Sequence, residues 1–190
     1  MRRPFLGILG SGKGSNFEAI YHAIQQNQLK AEIKLVISDI AEAGVLQKAK
    51  QFQVPHFFIN REKFETETIA LLKQHQVDLV ILAGFMRILS ADFVNTFPNH
   101  ILNIHPSLLP KFRGKKAWEQ AWQSGEKETG CTVHIVTKEL DSGTILAQRR
   151  VTILPQDSVE TLYERIRQQE HQLYPVAIQT YWEQINCLRR

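Results

Sequence analysis

Short apolar runs alternate along the chain with longer segments in which apolar residues recur every three or four positions. Runs of strand length separated by amphipathic segments of helix length are typical of strand-helix units around a mainly parallel sheet. We therefore predict an α/β fold. The predicted strands cover residues 5–9, 34–38, 56–59, 79–82, 101–104, 132–136 and 144–148.

Two helices have the clearest sequence signals. Phe17, Ile20 and Ile24 recur at helical spacing after the first predicted strand and give a helix one face to bury. Near the end of the chain, Asp157 and Glu160 have the spacing of a capping box and predict a helix start. The apolar face of that last helix is predicted to contain Leu162, Ile166, Gln169 and Leu173.

The most informative segment is residues 103–110, which follows a predicted strand directly. Alternate side chains of a strand share a face, so Asn103 and His105 point one way while Ile104 points into the core. Pro106 and Pro110 stiffen the loop that follows. An amide can stabilise an oxyanion, and an imidazole can move a proton at neutral pH. In isolation, the same pair could also be a strand cap and a polar residue filling a gap.

A glycine-rich loop at residues 10–16 joins the first predicted strand to the first predicted helix. Backbone N–H groups in such a loop, together with the helix N-terminus, favour an anion. The Walker A spacing ends at Lys13, but Gly14 stands where a magnesium-binding hydroxyl is required. The dinucleotide fingerprint has Ser15 at its third glycine and only Asp39 as its acidic residue. A phosphate monoester fits best, and a tight turn without a ligand is the alternative.

Asp141 lies in a polar turn after the sixth predicted strand and is a candidate partner for His105. A carboxylate beside an imidazole orients it and favours its charged form, although an aspartate here could also serve the turn alone. Cys131 and His134 raise the possibility of a zinc site with His105. Residues three apart on a strand face opposite sides, so we expect no such site.

Composition limits the classes of function. The chain has 190 residues, 43% of them hydrophobic, a formal charge of +4 and a pI near 9.1, which predicts one domain and small anionic ligands rather than a nucleic-acid groove. A local basic cluster lies at residues 111–116. Two distant cysteines indicate a reducing compartment. Because neither a signal peptide nor a membrane-spanning stretch is evident, we expect a cytoplasmic protein.

Six segments occur in one order: residues 11–16, 84–90, 102–110, 132–134, 139–143 and 170–171. Together they resemble the phosphoribosylglycinamide formyltransferase family, the folate-dependent formyltransferases of purine synthesis. The resemblance implies a single Rossmann-like formyltransferase domain over residues 1–190, with a seven-stranded, mostly parallel sheet and helices on both faces. It also implies a ribonucleotide half over roughly residues 1–100 and a folate and catalytic half over roughly residues 101–190.

The resemblance carries roles to individual positions. It implies that the catalytic residues are Asn103, His105 and Asp141. It implies that the ribonucleotide is bound by Gly14, Ser15, Asn16 and Glu170. It implies that the folate is held by Arg61, Met86, Arg87, Ile88, Leu89, Thr137, Lys138, Glu139, Leu140 and Asp141.

The implied reaction transfers the formyl group of 10-formyltetrahydrofolate to the amine of phosphoribosylglycinamide, in de novo synthesis of purines. Asn103 and a protonated His105 would donate to the formyl oxygen, and Asp141 would move the proton from the amine. Replacing Gly14 by valine would mainly raise KM for the ribonucleotide. The implied partners are small molecules, with no metal, nucleic acid or membrane, and the chain would be a monomer or a weak homodimer.

Two departures from the family keep alternatives open. Arg113 to Lys116 replaces a Gly-x-His run of close relatives, and the chain ends early at residue 190. The Arg-Gly pair resembles formyltransferases for other amines, such as an amino sugar nucleotide. Initiator tRNA formylation would be expected to need a further C-terminal domain, and formyltetrahydrofolate hydrolysis an N-terminal regulatory domain. A nonenzymatic nucleotide-binding domain is the alternative from another class.

Overall fold

A computed structural model describes residues 2–187 of the chain. Seven strands and six helices alternate through most of this part of the chain. The strands are β1 (Phe5–Leu9), β2 (Glu32–Ser38), β3 (His56–Phe58), β4 (Leu79–Leu82), β5 (Ile101–His105), β6 (Glu128–Ile135) and β7 (Ile145–Thr152). The helices are α1 (Ser15–Gln25), α2 (Gly44–Gln51), α3 (Phe64–Gln74), α4 (Ala91–Thr96), α5 (Ala117–Gln123) and α6 (Val159–Cys187).

All seven strands form one sheet in the order β3-β2-β1-β4-β5-β6-β7. The pairs from β3 to β5 are parallel, whereas β5 with β6 and β6 with β7 are antiparallel. The prediction of a single α/β domain with a mostly parallel sheet is therefore confirmed. The carboxyl ends of β1, β2, β4 and β5 lie at one edge of the sheet, where ligands bind in folds of this class.

The alternation of side chains along the strands divides the core into two clusters. On one face, Leu6 and Ile8 of β1 pack with α1, α2 and α6. On the other face, Leu9 and its neighbours pack with α3 and α4, so helices cover both faces, as predicted. Ile104 belongs to the first cluster, which leaves the side chains before and after it on the opposite face.

The antiparallel strands β6 and β7 differ from their predicted bounds. The prediction placed them at residues 132–136 and 144–148, but β6 begins at Glu128 and β7 continues to Thr152. The added part of β7 contains Arg149 and the exposed Arg150. Because β7 is an edge strand, it tolerates charged residues that a buried strand would exclude.

The predicted start of the last helix is wrong by one residue. Ser158 caps α6, since its Oγ accepts a hydrogen bond from Thr161 N at 3.2 Å while Thr161 Oγ1 accepts from Ser158 N at 2.9 Å. Asp157 instead accepts from Leu154 N at 2.8 Å and pairs with Arg165. The reciprocal contacts of a capping box therefore form between Ser158 and Thr161.

Helix α6 is the longest helix, with 29 residues, and it packs across the first face of the sheet. The hydroxyl of Tyr174 lies 3.0 Å from Leu82 O and 2.9 Å from Leu102 O, which ties the helix to β4 and β5. Among residues 2–187, no helix combines the length and the apolar character needed to cross a membrane.

The loop after β5 is fixed by the hydroxyl of Thr132 on β6. Thr132 Oγ1 donates to Ser107 O at 2.7 Å and accepts from Leu109 N at 3.1 Å. Gln148 Nε2 donates to the same oxygen and to Leu109 O, both at 2.9 Å. The loop that follows His105 is therefore held to the neighbouring strands by buried hydrogen bonds.

Candidate active site

Asp141 lies between two histidines at the carboxyl end of β5. His105 Nδ1 is 3.4 Å from one carboxylate oxygen, and His134 Nε2 is 3.5 Å from the other. Asp141 has a φ of 48°, a backbone conformation that aspartate tolerates better than most residues. The structure thus brings the predicted partners His105 and Asp141 together and adds His134.

His134 also contacts Asn103, its partner across the β5–β6 ladder. His134 Nδ1 is 3.0 Å from Ile135 O, a carbonyl that can only accept, so Nδ1 carries a proton. His134 Nε2 lies 3.2 Å from Asn103 Nδ2 and, when it has no proton of its own, accepts from that amide. This contact fixes the direction of the Asn103 amide and leaves its second N–H available.

The His105 ring is buried, with 5% of the residue exposed. Its Nε2 lies 2.8 Å from Phe112 O, which again requires an N–H on the ring. Burial lowers the pKa of His105 below 6.5, against the opposing effects of the Phe112 carbonyl and the Asp141 carboxylate. Burial therefore favours the neutral ring at neutral pH, whereas the mechanism implied by the resemblance uses a protonated ring.

Asp141 is held as a carboxylate by its neighbours. Burial acts to raise its pKa, but the contact with His134, the positive charge that His105 carries at acid pH and the backbone N–H of Gly114 together hold the pKa below 3.8. Gly114 N donates to Asp141 Oδ2 at 2.8 Å. Gly114 lies in the segment that departs from the family pattern, whereas Lys116 there is exposed and pairs with Glu119.

The glycine loop leads into the N-terminus of α1, as predicted. Gly14 has a φ of 76°, and a Cβ there would lie 2.7 Å from Val45 Cα. Valine at position 14 would therefore strain the fold itself, which corrects the expectation that Gly14→Val acts mainly on KM. Asn16 Nδ2 donates to Glu170 Oε2 at 3.0 Å, so the predicted ribonucleotide residues come from both halves of the chain.

Unpaired polar atoms concentrate beside this contact. Five buried side-chain polar atoms in residues 2–187 lack a hydrogen-bond partner, and three of them are Asn16 Oδ1, Arg167 Nε and His171 Nε2. Buried polar groups in native proteins are normally paired, so this cluster is suited to a polar ligand. Arg167 was missed by the sequence analysis, and His171 was noted only as part of a motif.

Glu170 is nearly inaccessible to solvent, with 4% of the residue exposed. Burial raises the pKa of Glu170 to about 7, although the hydrogen bond from Asn16 and the charge of Arg167 oppose the increase. A hydroxyl that donates a hydrogen bond would stabilise a carboxylate buried in this way, because the charged form is otherwise poorly solvated.

Replacing Glu170 by glutamine is expected to stabilise the protein at pH 8 and to change stability little at pH 5. Between pH 4.5 and about 7 the folded protein binds more protons at Glu170 than the unfolded chain does, so wild-type stability falls as pH rises through this window. The gain at pH 8 should be about 2 kcal/mol in urea unfolding. Exposed Glu183 on the same helix provides the control Glu183→Gln, and an equal gain at both pH values would contradict the assignment.

Several of the residues predicted to hold the folate are apolar and exposed to solvent. Met86 is 73% exposed, Ile88 72% and Leu140 47%, which is unusual for large apolar residues and marks a surface suited to a flat ring. Leu89 differs, because it is 7% exposed and its side chain packs in the second core cluster. Arg61 is largely exposed and lies 3.6 Å from Asp39.

The remaining predicted folate residues are polar or charged. Arg87 donates to Arg61 O at 3.5 Å and stacks over the Phe64 ring at 5.1 Å. Thr137 Oγ1 donates to Glu139 O at 3.2 Å, and Lys138 and Glu139 are exposed in the loop that ends at Asp141.

Cys131 and His134, which were considered as zinc ligands in the sequence, lie on opposite faces of the sheet. Cys131 packs in the first core cluster, whereas His134 faces Asp141. Burial raises the pKa of the Cys131 thiol to about 12, which disfavours the thiolate needed as a metal ligand. Within residues 2–187, no group of three or more metal-binding side chains lies close enough to hold an ion.

The fold is that of a formyl transferase: the model of the formyl transferase family matches residues 6–178. A phosphoribosylglycinamide formyltransferase of Haemophilus influenzae is 41% identical over 94% of this chain and 87% of its own length. The human trifunctional purine biosynthetic protein adenosine-3 is also 41% identical over 94% of this chain, which corresponds to 18% of that longer protein.

A solved structure gives the same answer. Glycinamide ribonucleotide transformylase 1 from Symbiobacterium toebii superposes with a TM-score of 0.92 at 40% identity, over 95% of this chain and 88% of the other. The chain belongs to the phosphoribosylglycinamide formyltransferase family.

Proposed function

We propose that this chain transfers the formyl group of 10-formyltetrahydrofolate to the glycinamide amine of 5′-phosphoribosylglycinamide, giving the N-formyl ribonucleotide and tetrahydrofolate in purine synthesis. The observation that carries the proposal is the contact of His105 and His134 with Asp141. In the proposal, this contact lies between a polar cradle around Asn16 and Glu170 and an apolar rim that contains Met86 and Ile88. The family's named activity requires both ligands at one point. The protein would work as a monomer or weak homodimer in the cytoplasm.

The ribonucleotide binds at the N-terminus of α1. The amides of Gly14, Ser15 and Asn16 point toward the phosphate, where the helix dipole favours negative charge. Glu170 accepts from a ribose hydroxyl, and Arg167 and His171 supply the donors that are otherwise buried without a partner.

The folate residues fit a reduced pterin with a negatively charged tail. The exposed apolar side chains of Met86, Ile88 and Leu140 form the wall for the ring, and Arg61 and Arg87 supply positive charge for carboxylates. The bound folate supplies an electrophilic formyl carbon.

The chemistry takes place at Asn103 and His105. The free N–H of Asn103, fixed by His134, donates to the formyl oxygen as negative charge develops on it during attack by the amine. The proton released by the amine passes to the neutral His105 ring, and the Asp141 carboxylate stabilises the imidazolium that forms. The ring then returns this proton to the leaving nitrogen of the folate. In this mechanism His105 begins neutral and becomes charged only as the oxyanion forms.

Replacing Ser15 by aspartate is expected to raise KM for the ribonucleotide by about tenfold or more while leaving KM for the folate unchanged. The new carboxylate would face the phosphate dianion, yet a negative charge in the first turn of α1 stabilises the helix. Ser15→Asn, which is the same size without the charge, is the control. Steady-state kinetics and thermal unfolding separate binding from stability, and equal effects of aspartate and asparagine would contradict a phosphate site here.

The proposed function is tested by a panel of amines. Purified protein with 10-formyltetrahydrofolate should formylate phosphoribosylglycinamide with a kcat/KM at least about a hundredfold above that for an amino sugar nucleotide, because only the former matches the cradle in phosphate and amine position. Preference for the amino sugar nucleotide would establish the alternative amine. Release of formate without an acceptor would indicate a hydrolase.

A further inference from the structure

Asp39 is a buried acidic residue at the carboxyl end of β2 that the proposed reaction does not use. Its side chain is 1% exposed, and the Arg61 Nε 3.6 Å away is its ion-pair partner. In the sequence it stood at the place of the acidic residue in a dinucleotide fingerprint, but the loop lacks that fingerprint's third glycine. A buried carboxylate is costly unless its contacts compensate for lost solvation.

The strongest contact of Asp39 is with the glycine loop. Ser11 Oγ donates to Asp39 Oδ1 at 2.7 Å. A hydroxyl has only one proton to donate, so this bond fixes the rotation of the Ser11 hydroxyl and aims its lone pairs elsewhere. Met86 N donates to Ser11 Oγ at 3.1 Å.

The position of the segment around Met86, which the proposed function assigns to the folate, depends on these contacts. The Met86 side chain is 73% exposed, so packing does little to hold this residue. Ser11 instead holds the segment at two points, because Ser11 N also donates to Gly84 O at 3.1 Å. On the other side, Asp39 pairs with Arg61, whose carbonyl accepts from Arg87.

We propose that Asp39 is a positioning residue for folate binding: through the Ser11 hydroxyl it fixes the backbone of the Met86 rim, and through its charge it places Arg61. The inference rests on the proposed function, since it assigns the rim to the folate. Asp39 touches neither substrate, so its removal should affect KM for the folate rather than kcat.

Asp39→Ala is expected to raise KM for 10-formyltetrahydrofolate about tenfold, with kcat and KM for the ribonucleotide within about threefold of wild type. Asp39→Asn keeps an oxygen that accepts from Ser11 but removes the charge that places Arg61, so it should raise the folate KM clearly less than Asp39→Ala does. Asp78→Ala is the matched control, because Asp78 also pairs with an arginine and accepts a backbone N–H, from Phe5.

A double-mutant cycle with Ser11→Ala tests whether Asp39 acts through the Ser11 hydroxyl. Since both side chains act through one hydrogen-bonded chain, the double variant should have a folate KM no higher than that of the worse single variant. Additive effects, an unchanged folate KM in Asp39→Ala, or an Asp39→Asn variant as impaired as Asp39→Ala would each overturn the inference. Loss of formyl transfer in the wild-type protein would instead refute the proposed function.

Discussion

Replacing Asn103 or His105 by alanine is expected to lower kcat about a hundred- to a thousandfold, with smaller changes in either KM. For Asn103, the removal of a single preorganised oxyanion donor has this magnitude, and for His105 the loss of a positioned proton acceptor has a similar one. Asn103 is suited to the role because His134 fixes its amide at 3.2 Å, so little reorganisation is needed during the reaction.

His56→Ala provides the matched control for these variants. His56 lies at the start of the edge strand β3, where its ring contacts Val54 O, and its loss should leave kcat within about twofold. Steady-state kinetics with both substrates at saturation measures the effect. Turnover of the Asn103 or His105 variant within a few-fold of wild type would remove that residue from the mechanism.

Replacing Asp141 by asparagine is expected to lower kcat by about a hundredfold or more and to move the acid limb of the pH profile to lower pH. The neutral form of His105 is the proton acceptor, so wild-type kcat/KM should fall as pH drops through the His105 pKa, which burial places below 6.5. The Asp141 carboxylate raises that pKa, and removing its charge lowers the pKa further.

The asparagine variant keeps the local fold, because its amide oxygen can still accept from Gly114 N, which donates to the wild-type carboxylate at 2.8 Å. Asp92→Asn in the exposed first turn of α4 is the control. The pH dependence of kcat/KM between pH 5 and 9 gives the readout. An acid limb that does not move, or that moves to higher pH, would contradict the pairing of Asp141 with His105.

Buried strands were predictable because their residues are apolar on both faces. The four-residue strand β4 is buried throughout and was placed at its observed bounds. The edge strand β7 was harder to bound, because Arg149 and Arg150 continue it beyond the apolar run. A charged residue on an edge strand looks like a loop in a sequence, since the exposed face imposes no apolar pattern.

Asn103 and His105 of the candidate site could be predicted, because both have reactive side chains and the alternation of side chains along a strand relates them. Asn103 and His105 share a face because they are two residues apart. His134 and Gly114 join them through contacts over long sequence separations: His134 lies opposite Asn103 in the β5–β6 register, and Gly114 reaches Asp141 from another loop. Register and loop closure depend on the whole fold, so no local pattern could show that these two residues contact the other members of the site.

The central claim is that Asn103, His105 and Asp141 catalyse the direct transfer of a formyl group from the folate to the ribonucleotide amine. The most direct test is a single turnover with enzyme in excess over 10-formyltetrahydrofolate labelled in the formyl carbon, with and without phosphoribosylglycinamide. We expect the label to appear in the formylated ribonucleotide only when both ligands are present, and about a hundredfold or more slowly in Asn103→Ala. Label recovered as free formate, or transfer at the same rate in Asn103→Ala, would contradict this mechanism.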